Sequence, residues 1–203
     1  MDDNTYSMGF TTCSIRIRES IRIAEVYVEL RDWNATRSYI INNNLLQQRT
    51  TSSSKKIYRE LASRLKLLTE IEMLYLVNCT EEEKLTLLWI AVCRRYGFIR
   101  EFVLETLHES NLLLDYHIKQ SDFEVFFNSK LVSHEELNNI SSATKNKVRQ
   151  ILFRMLSEVG LIHADNRIVR QSLSPALFDL LKSTDQNSLY LLPLYDAPNF
   201  IQR

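Results

Sequence analysis

The chain has 203 residues, with 25 Lys plus Arg against 25 Asp plus Glu, a 45% hydrophobic share, three Gly and three Pro. Gly and Pro together make about 3% of the chain, against a usual share of roughly 12%, which argues against all-β, Rossmann and P-loop designs, whose tight turns and phosphate loops need glycine. The hydrophobic share excludes a disordered chain, and a net charge of zero argues at first sight against a nucleic-acid binder.

Along the chain, apolar periodicity predicts a helix over residues 14–33, although its start, Ile15-Arg16-Ile17-Arg18, alternates as a strand does. Helices are predicted next over 35–42, 54–68, 70–78, 81–96, 98–111, 122–130, 134–140 and 143–159. Four Ser/Thr-x-x-Glu pairs sit at helix starts: Thr69 with Glu72, Thr80 with Glu83, Ser121 with Glu124, and Ser133 with Glu136. In such a capping box the hydroxyl accepts from a first-turn N–H, and the carboxylate reaches back to the cap. Gly160 stands where a helix end wants positive φ. Ser174-Pro175 opens a last helix to about Lys182. Residues 189–194 read as an extended segment docked on the body, or an edge strand.

Two helix-turn-helix candidates emerge. One runs over 38–46, a polar turn, and a helix from Lys55. The other runs over 135–140, Ser141-Ser142, and a helix from Ala143. Residues 160–170 follow the second, two short apolar stretches around Asp165-Asn166, a β-hairpin pattern. Helix, turn, helix and hairpin is the order of a winged helix. The expected fold is all-α: a compact multi-helix bundle with helix-turn-helix and winged-helix-like elements and a small β-hairpin. The expected organisation is 1–68, an N-terminal helical region; 69–131, an acidic helical middle; and 132–203, a winged-helix-like region with its tail. Residues 85–93 are the longest apolar run; nine residues do not span a bilayer as helix.

The neutral total hides a pattern. Residues 49–66 hold six bases and one acid, residues 145–154 hold four bases and no acid, and residues 70–136 hold thirteen acids and six bases. Both basic segments coincide with the second helix of a helix-turn-helix candidate, where a major-groove reader needs positive charge and donors. On a helical wheel Lys55, Arg59 and Lys66 lie opposite the stripe Ile57, Leu61, Leu65 and Leu68. Asn146, Lys147, Gln150 and Arg154 face away from Val148, Leu152, Met155 and Val159. With Arg49, Lys56, Lys145 and Arg149 they form the candidate DNA contacts; Ser53, Ser54 and Thr144 add hydroxyls at helix starts, and Arg167 adds a backbone contact from the hairpin. The plain alternative for each basic face is a solvated helix surface.

No chemistry-bearing constellation stands beside these faces. The four histidines form no zinc motif, G-x-S-x-G and Walker A sequences are absent, and Glu82-Glu83-Lys84 reads as a helix start rather than part of a nuclease signature. Cys13, Cys79 and Cys93 have no C-x-x-C spacing and read as small core residues of a reduced, cytoplasmic protein. The N-terminus carries no signal-peptide pattern. No enzyme activity, metal or cofactor is expected.

Five stretches, in order, carry a family resemblance: Tyr6-Ser7-Met8-Gly9-Phe10-Thr11-Thr12; Asn44-Leu45-Leu46-Gln47-Gln48-Arg49-Thr50 with Ser52-Ser53-Ser54-Lys55-Lys56; Leu88-Trp89-Ile90-Ala91-Val92-Cys93-Arg94-Arg95-Tyr96; Asp122-Phe123-Glu124-Val125-Phe126-Phe127-Asn128; and Thr144-Lys145-Asn146-Lys147-Val148-Arg149-Gln150, continuing to Leu156. Together they resemble the BrxA family of bacteriophage exclusion (BREX) systems, from Tyr6 to about Leu181. The resemblance implies an all-helical cytoplasmic protein with winged-helix character that binds double-stranded DNA. Its partners in phage defence would be a methyltransferase, an ATPase and a phosphatase-like protein. The alternative is an assembly adaptor with incidental DNA or RNA contact, docking a basic partner on its acidic middle. A structured-RNA binder is a third reading.

Overall fold

A computed structural model describes residues 5–195. They fall into two compact units: residues 8–96, and residues 97–195 together with residues 5–7. Expected residues 1–4 and 196–203 lie outside the described part. The acidic middle is divided between the units at Gly97.

The first unit holds α1 (Ile17–Leu30), α2 (Trp33–Asn42), α3 (Thr51–Leu65), α4 (Glu70–Asn78) and α5 (Glu81–Arg95), preceded by a 3-10 turn at Gly9–Thr12. The helix expected over 14–33 ends earlier, at Leu30, and the one expected over 35–42 starts earlier, at Trp33. Arg31 takes a left-handed φ of 54°, and the Asp32 carboxylate accepts the Ala35 N–H at 2.5 Å, so Trp33 opens a new helix. α1 packs on α2, α3, α4 and α5. Leu87 through Cys93 are all buried, so the longest apolar run is a core helix, and among the described residues no helix is long and apolar enough to cross a membrane.

The capping boxes at Thr69 and Thr80 form as expected. Those at Ser121 and Ser133 do not. Helix α8 (Gln120–Lys130) starts earlier, with the Asp122 carboxylate accepting the Lys119 N–H at 2.7 Å. Glu136 instead accepts the Tyr6 N–H at 2.6 Å. A tertiary partner outcompetes the local one in that case, and Asp122, two positions before Glu124, closes the helix start in the other.

The second unit continues with α6 (Gly97–Phe102), a π-helical stretch Val103–His108, and α7 (Glu109–Leu112), where one regular helix was expected. After α8 come a 3-10 turn at Glu135–Asn139, α9 (Ser142–Glu158), α10 (Pro175–Asp185) and a 3-10 turn at Gln186–Leu191. Phe98, Phe102, Phe123, Phe126 and Phe127 form an aromatic core with mostly edge-on contacts. Ser141 and Ser174 cap their helices, Pro175 occupies the first turn, and Gly160 takes a φ of 73°.

Among the described residues there is no β-strand. Residues 161–169 reverse around Asp165 and Asn166, the latter at φ 63°. The reversal holds one isolated bridge, Ile162 to Ile168, with Val169 N–H donating to the Leu161 carbonyl at 2.9 Å. Tyr116 to Ile118 add a bridge, His117 to Arg167. Each arm is too short to build a ladder. The tail is helical to Leu191 and only then extends, Leu194 bridging Gln171.

The most demanding interaction of the first unit is the Glu72–Arg94 pair. Glu72 is fully buried, closes the α4 capping box, and receives both Arg94 nitrogens at 2.7 and 2.8 Å, while Arg94 also donates to the Leu67 carbonyl at 3.0 Å. Arg94→Met would leave a carboxylate buried without its bidentate partner, and is expected to cost about 3–5 kcal/mol. Thr80→Ala, which removes one exposed cap, is expected to cost about 1 kcal/mol. Urea unfolding of the two variants checks the ranking.

Candidate nucleic-acid interface

Helix α3 is amphipathic with a specific anchor. Arg64 is buried; its guanidinium donates to the Ser14 carbonyl at 2.7 Å and the Cys13 carbonyl at 2.9 Å, pairs with Glu60 at 3.1 Å, and lies 5.6 Å from the Tyr96 ring centre. The Tyr96 hydroxyl donates to the same Glu60 carboxylate. Arg64 and Glu60 therefore cancel inside the fold. At about 100° per residue, Lys55 lies roughly 180° round the helix from Arg64, so anchoring one side presents the other to solvent.

That outward side forms one wall of a groove of about 620 Å³. Its cations are Lys55, Lys56, Arg59 and Lys66 of the α3 segment and Arg37 of α2, and no carboxylate lines it. Lys66 is steadied by the Trp33 ring, 5.3 Å from its ammonium, and Trp33 stacks on Tyr27. Among the described residues none of the five cations makes an ion pair. Arg37 escaped the sequence reading, although it is the sole charge of α2, which was the available signal. Arg49 is exposed and stands outside the groove lining.

The hydroxyl seat expected at the start of α3 contracts. The Ser53 N–H is taken by the Thr50 hydroxyl at 3.1 Å, and the Ser54 N–H by the Thr50 carbonyl at 3.0 Å. Ser54 is itself buried, so its side chain is withdrawn from the surface. Ser52 lines the groove instead.

The second basic segment meets a different fate. Glu124 of α8 accepts from Lys145 at 2.6 Å and from Arg149 at 2.9 Å. The hydrogen bond from the Lys145 ammonium is the main cause holding the Glu124 carboxyl below its ordinary value. Lys145 also lies 4.4 Å from the Phe127 ring centre. Arg149 engages the Asn146 side chain at 3.2 Å, the Thr144 N–H is held by Ser141, and Arg154 faces Glu158 at 3.8 Å. Arg167 pairs with Asp165 at 2.7 Å. Lys147 and Gln150 remain exposed. The charge expected on α9 is thus partly neutralised, whereas that on α3 is open.

A groove carrying five cations, serine hydroxyls and no carboxylate, imidazole or thiol in its lining offers donors and positive potential to a polyanion. Among the described residues no cluster of His, Cys, Asp and Glu could hold a metal ion.

The family model for BrxA matches residues 4–185. A comparison with curated proteins gives no match. Among solved structures, the chain is similar to the crystal structure of an uncharacterized protein from Magnetospirillum magneticum, with a TM-score of 0.74 and 16% identity over 93% of this chain and 98% of that one. At that identity the likeness speaks for the fold.

The groove floor depends on Tyr58, whose hydroxyl donates to the Trp33 carbonyl at 3.0 Å and ties α3 to the start of α2. Burial pushes this phenol up from 10.0 to about 12. Tyr58→Phe is expected to cost about 1 kcal/mol near neutral pH. An unfolded chain ionises this phenol at lower pH than the folded one, so the stability it lends is complete below pH 10.0 and falls away toward about 12. The stability gap between the two proteins, read by denaturant midpoints on an alkaline series, should shrink over that window.

Proposed function

The chain belongs to the BrxA family, a component of BREX phage defence, and on that premise we propose that it is a non-enzymatic protein that binds double-stranded DNA through the basic groove of α2 and α3. The observation that carries this reading is the set of five cations, unpaired among the described residues, gathered around one groove without a carboxylate. In this reading α2, its turn and α3 act as a helix-turn-helix, and α3 presents Lys55, Lys56 and Arg59 to the duplex. The exposed Lys147 and Gln150 of α9, with residues 161–170 as a short wing, form a second and weaker contact, winged-helix-like in order.

If the five groove cations each neutralise a phosphate, log affinity should fall with log salt at a slope near −4.5. Replacing Lys55, Lys56 and Arg59 by Glu should abolish binding while the helical circular dichroism is retained, because all three are exposed. Unchanged duplex affinity in a gel shift of that folded variant would overturn the groove assignment. Glu124→Gln, which unmasks Lys145 and Arg149, should raise low-salt affinity several-fold and steepen the slope by up to about 2.

A second reading, an adaptor for the other defence proteins, draws on exposed apolar residues of the second unit. Leu113, Leu114, Val125 and Val132 are 79, 67, 70 and 91% exposed, a feature of partner surfaces when contiguous. Nuclease-resistant capture of a defence component, without salt-dependent DNA binding, would select it.

A further inference from the structure

The reversal at residues 161–169 does more than order a loop. Its bridge to His117 brings in Tyr116, and the bridge from Gln171 to Leu194 brings in Tyr195. The result is a cavity of about 360 Å³ lined by Tyr116, Tyr195, Arg170, Arg167 and His163 over the buried Ile168. That volume lies within the range of small-molecule sites.

Its chemistry is specific. The Arg170 guanidinium carbon lies 4.6 Å from the Tyr195 ring centre and 5.9 Å from that of Tyr116. One terminal nitrogen donates to the Leu194 carbonyl at 3.3 Å and to the Tyr195 carbonyl. Its Nε is buried and has no hydrogen-bond partner among the described residues, an unspent donor of the kind that a bound acceptor relieves. Tyr195 is 58% exposed, leaving ring surface available. Arg167 and His163 are exposed at the rim, Arg167 holding Asp165 through Nε at 2.7 Å and keeping its terminal nitrogens for a solvent-facing partner such as a phosphate, and no carboxylate lines the cavity. The occupant that matches has a flat ring for the tyrosines and guanidinium, an acceptor, and an anionic group for Arg167. Bases inside a duplex are already stacked on one another, whereas an unpaired nucleotide offers its face.

We propose that this cavity takes one unpaired nucleotide of a DNA strand, its base on Tyr195 and Arg170 and its phosphate toward Arg167. The proposal rests on the DNA-binding reading, but on a different unit and different residues from the groove.

The test is fluorescence anisotropy of the full chain with a labelled oligothymidylate and, separately, a blunt duplex. Replacing Tyr195 by Ala should weaken single-strand binding about tenfold, leave duplex binding within about twofold, and leave the thermal melt unchanged. Tyr195→Trp, which keeps a stacking face, should retain single-strand affinity. The Lys55, Lys56, Arg59 to Glu variant should show the converse pattern. Unchanged single-strand affinity in the Tyr195→Ala variant overturns the cavity proposal and leaves the groove reading standing. Duplex binding by the native chain without single-strand binding does the same. Single-strand binding weakened in the Tyr195→Ala variant, with no duplex binding by the native chain, supports the cavity and overturns the groove. Displacement of the strand by free thymidine monophosphate at equal concentration would overturn a DNA strand as the source of the nucleotide.

Discussion

Arg64 sets the orientation on which the candidate interface depends. A guanidinium taken out of water is tolerated only when its donors are satisfied and its charge is matched. Here two backbone carbonyls, Glu60 and the Tyr96 ring meet that demand at once. These partners come from the segment before α1, from α3 itself and from the end of α5, so α3 has one rotational setting that satisfies them. In that setting Ile57, Leu61 and Leu65 are buried, and Lys55, Lys56 and Arg59 are turned outward beside Arg37.

The comparison of α3 with α9 separates charge in a sequence from charge on a surface. Both helices carry clustered bases and begin with hydroxyl residues. α9 packs near Glu124, and one carboxylate binds two of its four cations. On α3 the one acid, Glu60, is spent on Arg64, a residue that also leaves the surface. A local charge count predicted similar behaviour for two faces that the fold then made different. Ion pairs between separate helices obey distance in space, which a linear count does not contain.

The helix boundaries show the same division. Thr69 and Thr80 cap their helices with Glu72 and Glu83, as their spacing required, because donor, acceptor and turn all lie within four residues. Ser121 and Ser133 have the same spacing but do not cap. Asp122 holds the Lys119 N–H in one place, and Glu136 is drawn to Tyr6 in the other, 130 positions away along the chain. The boundary between the first two helices, expected at residues 33–35, lies at Arg31 and Asp32, where Asp is a favoured cap. Arg37 was concealed as a single charge in a helix judged unremarkable. Its meaning arises only beside α3.

What the sequence by itself determined is the helical class, most helix positions, two of the four capping boxes, the two basic segments, and the family motifs whose match extends over residues 4–185. These rest on interactions within a few residues or on long ordered motifs. What only the tertiary structure decided is which basic face stays open, that Arg64 and Ser54 turn inward, that Arg37 joins the groove, and that Tyr116 and Tyr195 meet around Arg170. Those outcomes depend on contacts between distant segments, and burial is a property of the whole packed unit rather than of any stretch within it.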